Sequence, residues 1–187
     1  MLKGSRMIEI IAGSNRANAN SLRVARVLQE AYSDLGVEAG LLNLQELPSA
    51  LLDPGAYAEK PAAFTPFQER VLAATGLHVV TPEYNGTFPG ALKLFIDMLK
   101  FPESFEGKPV AYVGVAAGQW GALRAVEQLQ MIFGYRNAYT YPRRVFIPGV
   151  HNTFSAEGVL HDPEILRRLQ EQAAGFRVFV EQVGAGG

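Results

Sequence analysis

The chain has 187 residues and a formal net charge of −1, with nearly half its residues apolar and about a fifth charged. That length suits one domain with a substantial core, and the near-neutral balance offers no global field for nucleic acid, acidic membranes or polyanions. There is no cysteine, which excludes disulfides, thiol nucleophiles and cysteine-bound iron–sulfur clusters, so any redox chemistry must ride on a bound cofactor.

Residues 1–6 lack the apolar core of a signal peptide, and Met7 to Ala12 is too short to cross a bilayer. A cytoplasmic protein without membrane contact is expected, with residues 1–6 a disordered tail. Met7 to Ala12 is a β-branched run ending at Gly13 and reads as the first strand. A polar turn from Ser14 to Ser21 follows. Val24, Val27, Leu28, Ala31 and Leu35 then recur at helical spacing before Gly36, and Val37 to Leu44 reads as a second strand. Gln45 to Pro66 carries Pro48, Pro54 and Pro61 with little periodicity, so a long surface loop is expected there.

Phe67 to Thr75 reads as a short helix and Leu77 to Val80 as a third strand. The helix from Ala91 to Lys100 follows, then a strand from Lys108 to Ala116 and a helix from Ala122 to Phe133. Short β-like pieces at Tyr139 to Tyr141 and Val145 to Ile147 flank Pro142. Asp162-Pro163 is a helix start, an N-cap carboxylate followed by proline at the first helical position. Ile165, Leu169, Ala173, Phe176 and Val180 face inward from that helix, and residues 184–187 are expected to be a disordered tail. Strand–helix alternation of this kind predicts a single α/β domain spanning 1–187. The expected form is a flavodoxin-like three-layer sandwich around a five-stranded parallel sheet in order 2-1-3-4-5.

That order places ligands at the switch point between strands one and three, where the loops after strands one, three and four converge. In the first loop, Gly13-Ser14-Asn15-Arg16 and Ser21 bring backbone N–H groups, hydroxyls and a guanidinium to a helix start. This suits a phosphate, and read alone it serves equally as an ordinary helix cap. In the third-strand loop, Pro82-Glu83-Tyr84-Asn85-Gly86-Thr87-Phe88-Pro89-Gly90, two prolines and two glycines stiffen the backbone. Its amides suit the edge of a heteroaromatic ring and Tyr84 suits a wall; packing and a Glu83 salt bridge are the plainer readings. Gly118-Gln119-Trp120-Gly121 allows close backbone approach, or simply turns the chain. Neither Gly-x-Gly-x-x-Gly nor a P-loop is present, so a Rossmann site or an NTPase is not indicated.

Pro82-Glu83-Tyr84-Asn85 with Pro89-Gly90, Leu92-Lys93 and Asp97 resembles the NAD(P)H-dependent FMN reductase family, which includes quinone, azo-dye and chromate reductases on a flavodoxin-like fold. Gly13-Ser14-x-Arg16 followed by Asn20-Ser21 resembles that family's phosphate loop. The resemblance runs from about Met7 to Phe133, with a looser continuation through the last helix. It implies that Ser14, Arg16, Asn20 and Ser21 hold the FMN phosphate. It implies that Pro82, Glu83, Tyr84, Asn85, Gly86 and Thr87 contact the isoalloxazine and ribityl regions, and that Gly118, Gln119, Trp120 and Gly121 line the far edge of the ring. Ala19 stands where the family often has serine, which implies one phosphate hydroxyl fewer and FMN that exchanges more readily.

With FMN as cofactor and NADPH or NADH as hydride donor, flavin N5 carries the hydride and no catalytic side chain is expected. Small electron acceptors such as quinones or free flavin and ping-pong kinetics are the corresponding expectations. The competitors are a flavodoxin-type electron carrier, against which the near-zero charge argues, and a non-catalytic flavin-binding sensor. The helix from 91 to 100 is apolar nearly all round. It needs two burial partners, so a homodimer or homotetramer through it is expected, unless the 45–66 segment covers that face. The resemblance also implies dimers or tetramers. His78 reads as a core or edge histidine, and His151 and His161 lack metal-ligand spacing, so no metal is expected. Arg143-Arg144 reads either as a contact to the NADPH 2′-phosphate or a partner subunit, or as a solvated pair. Phe154 reads as surface packing or as cover for a flavin edge.

Overall fold

The computed structural model describes residues 7–155 and 158–185. The β-branched run at the start forms β1 (Ile8–Ala12), and later apolar stretches form β2 (Ala39–Asn43), β3 (Gly76–Pro82) and β4 (Pro109–Val115). These strands lie parallel in the order β2-β1-β3-β4. The fifth position is shared by β5 (Tyr139–Thr140) and β6 (Val145–Ile147), both parallel to β4. The expected 2-1-3-4-5 order is therefore present, with its last strand split. Between the paired stretches β4 advances from Val110 to Val113 while the edge advances from Thr140 to Val145. Pro142, which has no N–H to give a ladder, sits in the bulge that takes up the difference.

Side chains alternate across the sheet and sort the core into two layers. Ile8, Ile10, Val80, Ala111 and Val113 face α1 (Asn20–Asp34) and α5 (Pro163–Ala185). Ile11, Leu77, Val79, Val110 and Tyr112 face α2 (Thr65–Ala73), α3 (Gly90–Met98) and α4 (Leu123–Tyr135). Asp162 caps α5 as its sequence indicates, its Oδ1 accepting from the Glu164 and Ile165 N–H groups at 3.0 and 3.1 Å. The helix runs on through Gly184 and Ala185, two residues assigned from sequence to a disordered tail. The remaining tail residues, 1–6 and 186–187, lie outside the described residues.

The 45–66 segment departs from expectation. Four short 3-10 helices, Leu44–Glu46, Ser49–Leu52, Pro54–Tyr57 and Ala62–Phe64, occupy it, and Leu51, Ala56 and Phe64 are buried. The prolines that break a long helix are compatible with single turns, each starting after an extended residue. Phe64 meets Phe95 of α3 edge to face, with ring centroids 6.1 Å apart. Leu92, Phe95 and Met98 are 0% exposed, so α3 finds its second burial partner within the same chain. This removes the argument for an interface through the body of helix 91–100. Its outward side carries Lys93 and Asp97, which form a one-turn ion pair at 2.7 Å.

Two buried polar groups have full accounts. Glu9, inside β1, takes two hydrogen bonds from Arg70 of α2; burial raises its pKa and the Arg70 guanidinium opposes that rise. His78, inside β3, lies 2.8 Å from the Tyr32 hydroxyl and 3.2 Å from Gln172 Oε1. Burial lowers its pKa to about 4. His78 is thus a core histidine.

Candidate functional site

The carboxyl ends of β1, β3 and β4 open onto a cavity of about 400 Å³, within the ~300–1,000 Å³ range of small-molecule sites. Its floor on one side is the start of α1. That helix begins after Ala19, whose methyl side chain offers no capping bond, and its first turn carries no acidic residue. Leu22 and Arg23 donate their N–H groups to the Ala19 carbonyl, so the N–H groups of Asn20 and Ser21 have no intrahelical acceptor. Ser21 Oγ is buried with no hydrogen-bond partner among the described residues. Bare amides at the positive end of a helix and an unpartnered hydroxyl make an anion site, and Arg16 and Asn20 line the same wall.

The opposite wall is Pro82, Glu83 and Tyr84. The chain turns back immediately beyond them. Asn85 and Gly86 both have positive φ, 53° and 78°, and Tyr84 and Thr87 exchange backbone hydrogen bonds of 2.8 and 3.2 Å. This is a two-residue hairpin of the kind Asn-Gly favours. Gln128 of α4 clamps it, accepting from the Thr87 hydroxyl and donating to the Gly86 carbonyl at 3.3 Å. The hairpin therefore presents Pro82 to Tyr84 as a stiff edge. Glu83 is mostly buried, with Oε2 unpartnered and Oε1 3.8 Å from the exposed Arg124 guanidinium. That long, solvent-screened pair contributes little, and Glu83 Oε2 is a buried acceptor in a residue of the cavity wall.

The residues expected from sequence divide clearly. Arg16, Asn20, Ser21, Pro82, Glu83 and Tyr84 share one wall system. Ser14 stands behind it, 2.8 Å from the Tyr84 hydroxyl. Asn85, Gly86 and Thr87 shape the hairpin and are not part of the cavity wall. Gly118, Gln119 and Trp120 are exposed and also lie outside it; the wall there is Val115, Ala116 and Ala117. Gly121 has a packing role: at φ 55°, a Cβ there would come within 2.8 Å of the Ile147 nitrogen. Phe154 is 7% exposed and belongs to the core layer beneath α1 and α5. Arg144 is held by Gln130 at 3.2 Å and lies over Phe146, away from the cavity.

Sequence reasoning missed Ala17, Asn18, Val150 and His151, which complete the wall. His151 reaches it from a short turn, Val150–Asn152, that follows β6 and is tied to Ala116 by a 3.0 Å backbone bond. No local motif marks these residues. The Asn-Gly pair of the hairpin was the one overlooked signal. Among the described residues no cluster of three His, Cys, Asp or Glu side chains forms a metal site, and no helix is long and apolar enough to cross a membrane.

The cavity fits FMN on its own chemistry. The orphaned Ser21 hydroxyl and open helix amides match a phosphate, and the unpartnered Glu83 oxygen matches a donor on a ribityl chain or ring edge. The walls at Tyr84 and at Ala116 and Ala117 are set for a flat group.

The chain is similar to several known proteins. The family model described as NADPH-dependent FMN reductase matches residues 7–152. A NAD(P)H-dependent FMN reductase of Pseudomonas aeruginosa is 31% identical over 179 residues, covering 92% of this chain and 94% of that one. A quinone reductase of Escherichia coli K12 is 31% identical over 180 residues, covering 92% and 94%. Among solved structures, the flavoenzyme NAD(P)H:(acceptor) oxidoreductase FerB of Paracoccus denitrificans superposes with a TM-score of 0.79 at 24% identity, covering 95% of this chain and 98% of that one; that likeness speaks to the fold. With the family model spanning most of the chain and full-length relatives above 30% identity, this protein belongs to the NADPH-dependent FMN reductase family.

Proposed function

We propose that the protein is an NAD(P)H-dependent FMN oxidoreductase that passes reducing equivalents to quinones, free flavin or similar small acceptors, with the two substrates using the site in turn. One observation carries this reading: the unpartnered Ser21 hydroxyl at a bare helix start and the clamped Pro82–Tyr84 edge face one cavity. FMN bound there would supply the hydride chemistry. The chain's own tasks are positional. Asn20, Ser21 and Arg16 hold the phosphate by charge-assisted hydrogen bonds. Gln128 keeps the hairpin from yielding, so that Pro82 to Tyr84 fix the plane and tilt of the ring. Ala116 and Ala117, with small side chains, let the main chain approach the opposite edge. Ser14, Asn85, Gly86 and Thr87 act behind these residues, and Gly118 to Trp120 form the outer lip. A cytoplasmic location belongs to the same reading, since the hydride donor is a soluble dinucleotide.

The test is an anaerobic absorbance titration of FMN-loaded protein with NADPH, then NADH, followed by a quinone. Bleaching of the flavin band by a nicotinamide and its return on adding quinone is the expected result. FMN that binds and is never bleached would overturn the enzyme reading in favour of a carrier or sensor.

We also infer a homodimer or homotetramer, on a different surface from the body of α3. Met131 and Tyr135, one turn apart on α4, are 69% and 80% exposed, and Trp120 just before the helix is 58% exposed. These exposed apolar side chains on and just before α4 are the support for self-association.

A further inference from the structure

We propose that a groove along the outer face of α1 seats the adenosine 2′-phosphate end of NADPH, and that Arg23 and Arg26 thereby set a preference for NADPH over NADH. The proposal rests on the hydride-donor reading above and extends it to the far end of the donor.

The groove, of about 550 Å³, lies between α1 and the Gly158–Leu160 strip. It shares Asn18 with the flavin cavity, so one extended ligand can reach from one to the other. Its walls have two kinds of chemistry. Arg23 and Arg26 supply fixed positive charge, and Val159, Leu160 and Leu166 supply an apolar surface. Guanidinium groups take phosphate oxygens in pairs, and an apolar slot beside them accepts a purine ring. Together these are the requirements of a phosphorylated nucleoside.

The helix itself argues for an anion here. Arg23 and Arg26 are one turn apart on α1, a like-charge pair that weakens an isolated helix. Arg23 also lies close to the positive end of the helix dipole, where a carboxylate is favoured and none is found. Neither guanidinium has an ion pair among the described residues; that of Arg23 rests 5.9 Å from the Phe154 ring centroid. Glu30, one turn beyond Arg26, is the single carboxylate against two cations among the described residues that line the groove. A bound phosphate removes the repulsion between the two guanidinium groups. Arg144 of the Arg143-Arg144 pair weighed from sequence for this phosphate is bound to Gln130, away from both cavities.

The experiment uses FMN-loaded protein, the parent and Arg26→Met, which keeps the aliphatic stem. Calorimetry compares adenosine 2′,5′-bisphosphate with adenosine 5′-monophosphate, and steady-state kinetics compare NADPH with NADH. The parent is expected to bind the bisphosphate at least about ten-fold more tightly than the monophosphate, as one charge-assisted contact predicts. Arg26→Met should lose that margin and raise the NADPH KM by a similar factor, while NADH kinetics and FMN affinity hold. Equal loss for both dinucleotides, or a bisphosphate bound no better than the monophosphate, would overturn the proposal. Tight bisphosphate binding without turnover of either dinucleotide would support the groove and sink the hydride-donor reading.

Discussion

The Ser14 and Tyr84 hydroxyls lie 2.8 Å apart and join two loops separated by 70 positions in the chain. Ser14 is 1% exposed, and the Arg16 N–H donates to the same serine oxygen at 3.2 Å. Arg16 then lays its guanidinium 5.5 Å from the centre of the Tyr84 ring. The loop after β1 and the loop after β3 are thus tied to each other by the protein's own contacts, which lowers the ordering entropy that binding must overcome.

Ser21 and Tyr84 separate binding from stability. Ser21 Oγ has no hydrogen-bond partner among the described residues, so Ser21→Ala should leave thermal unfolding of the ligand-free protein within about 0.5 kcal/mol. The same change should weaken FMN by about 1.5–3 kcal/mol if a phosphate oxygen is its partner. Tyr84→Phe, by contrast, should lower ligand-free stability by about 1 kcal/mol through loss of the Ser14 bond. Fluorescence titration with FMN beside thermal melts reads both; a Ser21→Ala protein with parental FMN affinity would remove Ser21 from the phosphate site.

Gln128→Ala releases the hairpin from α4. Two hydrogen bonds are lost, so stability should fall by about 1–2 kcal/mol. Hydrogen exchange at the Tyr84 and Thr87 amides should quicken while β3 stays protected. FMN affinity should fall although Gln128 lines no part of the cavity. Unchanged exchange at those two amides would show that the clamp is not needed.

The His78 imidazole predicts acid sensitivity. Its folded pKa is lowered from 6.5 to about 4 by burial, so below pH 6.5 the unfolded chain binds a proton that the folded protein refuses. Stability therefore rises with pH across this window and is lost on acidification, by about 3 kcal/mol in all. Urea unfolding at several pH values should show the slope, and His78→Gln should flatten it. Parallel slopes in the two proteins would assign the acid loss to other groups.

Charge placed on α3 and on α4 should have opposite consequences. Phe95 is fully buried against Phe64, so Phe95→Glu should destabilise the fold by about 3–5 kcal/mol. Tyr135→Glu changes an exposed side chain of α4 and should keep the fold while dissociating any oligomer. Light scattering with circular dichroism distinguishes them. A folded, monomeric Phe95→Glu protein would return the interface to α3.

Much of the fold is legible in local pattern because strands and helices sort side chains with fixed periods. Ile8 and Ile10 point one way and Ile11 the other in any β1, and Asp162 caps α5 whatever lies around it. Tyr139 to Tyr141 and Val145 to Ile147 read as short β-like runs around Pro142, and both supply strands beside β4. The motif residues Arg16, Asn20, Ser21 and Pro82 to Tyr84 were legible for the same reason, since a loop at a strand end must lie at the sheet's ligand-binding edge.

Contacts between distant segments were not legible. Nothing near Leu51 or Phe64 says that their 3-10 turns will cover α3, and an apolar helix reads alike whether its cover comes from its own chain or another. Gly118 to Trp120 are exposed beyond the cavity wall, and Gly121 is packed against Phe146 and Ile147. A glycine placed for packing under Phe146 carries the same sequence signal as one placed for a ligand. His151 reaches the cavity only because β6 pairs with β4. By itself the sequence determined the strand order, the start of α5 and the polar make-up of the loops after β1 and β3, because those depend on periodicity and capping within a few residues. Only the tertiary structure decided what buries α3, which side chains wall the cavity and where Arg23 and Arg26 meet an apolar surface, because those depend on which segments the sheet order brings together in space.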